Sequence, residues 1–302
     1  MKDSFDSTVV DSVDAALAAI ASRLTPVGGS RWTMALAQGE PECVTAMLID
    51  DWLVIEADLK PGGALGGPGI FWDALGWNAA LPGLAKLAIT GGGGWRLLAE
   101  LPVQEGVALA ERVRESCAGF EAAWVRLQPG SGSAPESTAP EAPALEPMDL
   151  RSLCSEAGWP FIERAGGTLA VDLDLPTSFY QALLVPSGRG LRIGCDLATL
   201  DGAPPVCRRA IGGFLLAASG AVRLARAAIT SGESWPVARF EVVFATPPCP
   251  SEISSALESL HVGCGLCGEE IKTLQDPIVA QHYLELQGWV ARTTINQKEN
   301  TP

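Results

Sequence analysis

Imidazole is almost missing from this chain: two histidines stand among 302 residues, His261 and His282, both towards the C-terminal end. A nucleophile–base–orienter set therefore has no histidine before residue 261 and would depend on carboxylates or lysines. Phosphate loops are wanting too. The glycine-rich runs Gly62–Gly69 and Gly91–Gly94 lack the Gly-Lys-Ser/Thr ending of a P-loop, and no Gly-x-Gly-x-x-Gly opens a helix after a strand. They read as a loop and a hairpin turn. Asp50-Asp51 and Asp172/Asp174 fall at turns and strand ends, where carboxylates are usually solvated.

Positive charge is scarce. Lys and Arg number 21 against 35 Asp and Glu, and the net charge of −14 weighs against a nucleic-acid binder. Long apolar runs are scarce as well: Ala210–Val222 is too short to cross a bilayer and is interrupted by glycines. Met1–Asp6 has no basic region followed by an apolar one, as a secretory signal requires. The expectation is a cytoplasmic protein with no membrane partner. Eight cysteines in that setting read as free thiols or metal ligands and not as a disulfide framework.

What the chain has in quantity is apolar body, 47% hydrophobic against 19% charged, at a length that fits about two domains. Its organising stretch is Ile89-Thr90-Gly91-Gly92-Gly93-Gly94-Trp95. It returns as Ile229-Thr230-Ser231-Gly232-Glu233-Ser234-Trp235, 140 residues later (235 − 95). Each copy lies between strand-like runs, and glycine there supplies the positive φ of a hairpin turn. Ala57-Asp58-Leu59 and Cys195-Asp196-Leu197 form a second landmark at an offset of 138 (197 − 59). Two landmarks at nearly equal offsets point to one fold written twice.

In order, the periodicities predict a helix over 11–24 capped by Asp11 or Ser12, strands over 31–38, 43–49 and 52–59, and a short helix over 70–81. The hairpin and a helix over 104–124 follow. The second half replays this through a closing helix over 250–261 capped by Ser251. The fold class is α+β, two tandem repeats of an α-β-β-β-α-β-β-α unit with antiparallel sheets backed by helices. Boundaries fall at 1–127 and 148–262, with a Pro/Ala/Glu-rich linker over 128–147 and a C-terminal tail over 263–302 that carries Cys-x-x-Cys and an amphipathic helix.

This element order, over residues 11–124 and 149–262, together with the acidity, resembles the type III secretion chaperone (Tir chaperone-like) family. The resemblance implies a cytosolic protein without catalytic residues that holds a segment of a client protein against apolar patches. Family members work as homodimers, so two linked copies imply a monomer acting as a pseudo-dimer.

Two residue sets carry chemistry of their own. Phe71, Trp72 and Trp77 lie on the short helix beside a glycine-rich loop; they suit a partner-binding patch for a client protein or peptide, against the alternative of core packing. His261-x-x-Cys264-x-x-Cys267, with His282 further on, has ligand types for a tetrahedral zinc ion. The same Cys-x-x-Cys suits a redox pair, or a helix-ending turn at Gly263, Gly265 and Gly268 in which the cysteines are small apolar residues. Apart from zinc there, no cofactor is expected. Two functions stay open: a non-enzymatic chaperone-like binding module, and a metal- or thiol-dependent enzyme or sensor built on the tail.

Overall fold

Val44–Ile49 buries every second residue, Val44, Ala46 and Leu48, as a strand with one face on a core must. Ile70–Ala80 buries Ile70, Phe71, Ala74, Leu75 and Asn78, a helical stripe. These two periods repeat along the chain. The computed structural model describes residues 7–35, 44–59, 69–90, 93–104, 107–127, 148–176, 178–188, 190–231 and 235–289. The linker 128–147, nearly all of the Lys60–Gly69 loop, Gly91-Gly92 and the end Arg292–Pro302 lie outside them.

The first half runs α1 (Ser7–Ala18), β1 (Arg23–Pro26), β2 (Arg31–Ala35), β3 (Val44–Ile49), β4 (Trp52–Leu59), α2 (Ile70–Ala80), β5 (Lys86–Ile89), β6 (Trp95–Pro102) and α3 (Leu109–Leu127). The second runs α4 (Leu150–Glu156), β7 (Ile162–Glu163), β8 (Leu169–Asp174), β9 (Phe179–Ser187), β10 (Gly190–Thr199), α5 (Pro205–Ala221), β11 (Arg226–Ser231), β12 (Pro236–Phe244), α6 (Pro250–Thr273) and α7 (Pro277–Leu286). The class is α+β, with two six-stranded antiparallel sheets ordered β1-β2-β3-β4-β6-β5 and β7-β8-β9-β10-β12-β11. Element order and strand order agree between the halves.

Several expectations are corrected. Four strands precede the middle helix in each half, not three, because β1 and β7 are short edge strands with mostly exposed residues and no alternation to read. The chain is already helical at Ser7, so Asp11 and Ser12 lie inside α1, and Ser12 Oγ donates to the Thr8 carbonyl at 2.8 Å. The cap of α6 is Cys249, not Ser251; Cys249 N–H donates to Glu252 Oε2 at 2.9 Å in a capping box. Most consequentially, α6 does not stop near His261. It continues to Thr273, so the Cys-x-x-Cys segment is mid-helix.

The two landmarks fare differently. Asp58 pairs across the ladder with Arg96 and Asp196 with Arg239, and each pair makes an ion pair, at 3.0 and 2.8 Å. The tryptophans do not correspond. Trp95 sits opposite Ile89 and is 5% exposed, whereas Ile229 faces Ala238 and Trp235 is 51% exposed. The second ladder continues to Ser231 opposite Pro236, which leaves Trp235 in the connection. Hairpin register follows the connection and the ladder, not the identity of one residue.

The halves meet through reciprocal packing, α2 on β11 and α5 on β5. The polar links are reciprocal as well. Lys86 Nζ donates to the carbonyls of Val222 (2.6 Å) and Ala225 (3.3 Å), and Arg226 Nη1 donates to those of Gly83 (3.0 Å) and Ala85 (2.9 Å). Both cations are buried against carboxylates, Lys86 on Glu100 and Arg226 on Glu241. Burial holds the Lys86 ammonium below its usual pKa although Glu100 works to raise it. A third buried pair joins α3 to α6: Arg112 Nε and Nη2 donate to Glu252 at 2.6 and 3.0 Å.

Removing one partner of a buried ion pair leaves the other charge unpaired, at a cost of about 3–5 kcal/mol. Arg112 keeps a second, largely buried carboxylate, Glu115 at 2.8 Å, so Glu252→Ala is expected to lose less than that, about 1–3 kcal/mol in urea denaturation. The double replacement Arg112→Met with Glu252→Leu is expected to lose more than the single one, because Glu115 is then left largely buried without its cation. A single-variant loss below about 1 kcal/mol would mean that water already screens the pair.

Candidate partner-binding groove

Helix α2 begins after Gly69 and α5 after Pro204, and neither start has a side-chain cap. The two helices pack closely because α5 carries glycines where they touch. A Cβ on Gly212 would lie 3.0 Å from Phe71 Cβ. Between their N-terminal ends lies a cavity of about 310 Å³, lined by Phe71, Trp72, Asp73, Pro205, Arg208 and Arg209. The Arg208 guanidinium carbon stands 5.5 Å from the Trp72 ring centre, and that of Arg209 6.0 Å from the Phe71 ring centre.

The chain's own C-terminal segment occupies the adjoining part of the groove. Asp276 caps α7 by accepting from Ile278 N–H at 2.8 Å, and Pro277 takes the first helical position, where a missing N–H costs nothing. At the other end Gly288 turns left-handed (φ 67°). Trp289 N–H donates to the Leu284 carbonyl (2.9 Å) and Gly288 N–H to that of Glu285 (3.0 Å), which together make a Schellman motif. This turn throws Trp289 back onto the protein. Its ring centre lies 4.9 Å from Phe71 and 6.0 Å, edge-on, from Tyr283. Gly213 is required beneath it, since a Cβ there would lie 2.3 Å from the indole.

Of the residues expected to meet a partner, Phe71 is 8% exposed, between Trp289 and Trp95. Trp72 and Trp77 are half-buried and lean on the main core. The structure brings Phe71 and Trp72 to the cavity and leaves Trp77 out of its lining. Arg208 and Arg209 in the first turns of α5, and Trp289, complete the site. The run Leu286-Gln287-Gly288-Trp289 carries a legible helix-ending signal. The arginines carry none until α2 is placed beside them.

The tail cluster is not assembled as a ligand set. Cys264 and Cys267 are buried on the inner face of α6, while His261 is half-buried and His282 is exposed on α7. Cys264 Sγ lies 3.3 Å from Cys195 Sγ on β10. Among the described residues no three His, Cys, Asp or Glu side chains converge on a point where a metal could sit. The Cys195 thiol beside it and burial both raise the pKa of Cys264, and burial pushes Cys117 and Cys267 up to about 12.

The chain matches no protein-family model, no curated protein and no solved structure.

Two predictions follow from this geometry. Gly213→Ala is expected to unseat Trp289, with a loss of about 1–3 kcal/mol and a red shift of tryptophan emission; unchanged emission and stability would show that the indole does not need that space. The raised thiol pKa values mean that Cys117 and Cys267 stay protonated well above the ordinary value of 9.0. Alkylation of native protein at pH 8, read by peptide mass, should therefore spare both and label them only in denaturant. Rapid native labelling at either position would contradict the packing.

Proposed function

We propose that this protein is a non-enzymatic, chaperone-like protein-binding module that holds a segment of a client in the groove between α2 and α5. In this reading it works in the cytoplasm as a monomer whose two halves stand in for two subunits, in the manner of the type III secretion chaperones its element order resembles. The shared element and strand order of the halves and their reciprocal packing support a duplicated, pseudo-dimeric origin.

The observation that carries the proposal is that a helical segment ending in an aromatic anchor already sits there. Helix α7 and Trp289 occupy α5 and Phe71 as an amphipathic peptide would, with the apolar anchor in a preformed groove. Half-buried Trp72 extends the surface beyond that segment, with the kind of aromatic that dominates binding energetics. The net charge of −14 favours a client rich in basic residues, whose approach would be accelerated at low salt.

Trp72→Ala is expected to weaken client binding by about tenfold or more, the usual scale of an aromatic anchor, with a lowered thermal midpoint but a protein that remains folded by circular dichroism. Association rates should fall as salt rises. Turnover of a substrate by the purified protein, or client binding indifferent to both Trp72 and salt, would overturn the reading. The competing reading, a metal- or thiol-dependent enzyme or sensor, has the Cys195–Cys264 contact as its support; zinc bound stoichiometrically to the purified protein would favour it.

A further inference from the structure

We propose that the cavity between the N-terminal ends of α2 and α5 is an oxyanion subsite, and that its ligand is a carboxylate carried by the segment bound in the groove. Among the described residues, two arginines line a cavity of about 310 Å³ together with one acidic residue, Asp73. Each guanidinium lies near an aromatic ring, Arg208 near Trp72 and Arg209 near Phe71. The planar fork of guanidinium N–H groups matches a bidentate acceptor such as a carboxylate. Arg209 Nε is buried and has no hydrogen-bond partner among the described residues.

The backbone adds to the imbalance. Arg208 and Arg209 follow the first turn of α5, one turn in from its positive end. The start of α2 opens onto the same space without a capping side chain. Asp73, in the first turn of α2, offsets one unit of this charge and leaves an excess. Such an excess in a chain of net charge −14 is local and costs free energy unless an anion enters. The same global charge repels free multivalent phosphate at a distance. A singly charged carboxylate, delivered on an apolar segment that the groove already attracts, meets less repulsion.

The carboxylate source rests on the binding function proposed above; the subsite itself does not. Both are separable by titrating the full chain with sodium benzoate, benzamide and inorganic phosphate at constant ionic strength, following arginine Nε–H and tryptophan indole N–H signals by NMR. Benzoate should bind saturably and benzamide should not. Arg208→Ala, at an exposed position, should weaken benzoate about tenfold, the loss expected for a hydrogen bond to a charged group. Asp73→Asn should tighten it about twofold to fivefold by removing a repelling charge.

Equal responses to benzoate and benzamide, or no effect of Arg208→Ala, would overturn the subsite even if the client still binds. Phosphate binding as tightly as benzoate would overturn the carboxylate assignment. Benzoate bound as expected by a protein that retains no client would uphold the subsite and sink the proposed function alone.

Discussion

Two edge strands, β5 and β11, end their sheets inside the molecule and not at its surface. An edge presents a row of unpaired N–H and C=O groups, and burying such groups without partners is costly. Much of the contact between the halves answers that constraint. Asn78 on α2 accepts from Leu87 N–H at 2.7 Å and donates to the carbonyls of Leu87 (3.1 Å) and Ala227 (2.9 Å), so one amide serves both edges. Ser219 on α5 accepts from Ala227 N–H at 2.8 Å. Lys86 and Arg226 cross in opposite directions to reach carbonyls beside the strands they face.

Buried cations need buried anions, and the anions do more than neutralise them. Glu100 pairs with Lys86 and Arg223, and it also accepts from Leu224 N–H at 2.9 Å. Leu224 is a non-glycine residue at φ 59°, a conformation that persists only where surroundings hold it. Glu241 accepts from Arg226 and Arg192 together. Glu252 closes the capping box of α6 while it receives Arg112. Each carboxylate thus ties charge balance to backbone geometry, and the network fixes the two halves in one relative orientation.

That orientation creates the groove. Helix α2 comes from one half and α5 from the other, so the cavity between them exists only when the halves are docked. The adjacent glycines Gly212 and Gly213 of α5 let it approach Phe71 and Trp289 closely, and the uncapped starts of both helices line the same cavity. A rigid frame of this kind presents side chains with little ordering left to do on binding, which is the physical advantage of building a site on helices.

The sequence by itself determined most strands and helices, because their burial alternates with periods that apolar residues display directly. β4 and α2 lie within one residue of the ranges read from the pattern. It also determined the Asp58/Asp196 correspondence, since a strand-end carboxylate opposite an arginine depends on local pairing. It did not determine β1 and β7, too short and exposed to show alternation, or the end of α6, where Gly263, Gly265 and Gly268 resemble a helix stop. Tertiary packing overrode that signal. A Cβ on Gly263 would meet the Phe240 ring at 3.0 Å and one on Gly268 the Tyr180 hydroxyl at 1.9 Å, so these glycines serve close approach of the helix to its sheet. The Cys-x-x-Cys spacing likewise suggested two thiols turned to one ion, whereas the continuous helix aims Cys264 at Cys195, 69 residues away in the chain. The candidate site was half legible: Phe71 and Trp72 stood out by type and place. Arg208, Arg209 and Trp289 gained meaning only when docking brought them to α2, because a long-range juxtaposition leaves no local pattern for a sequence to display.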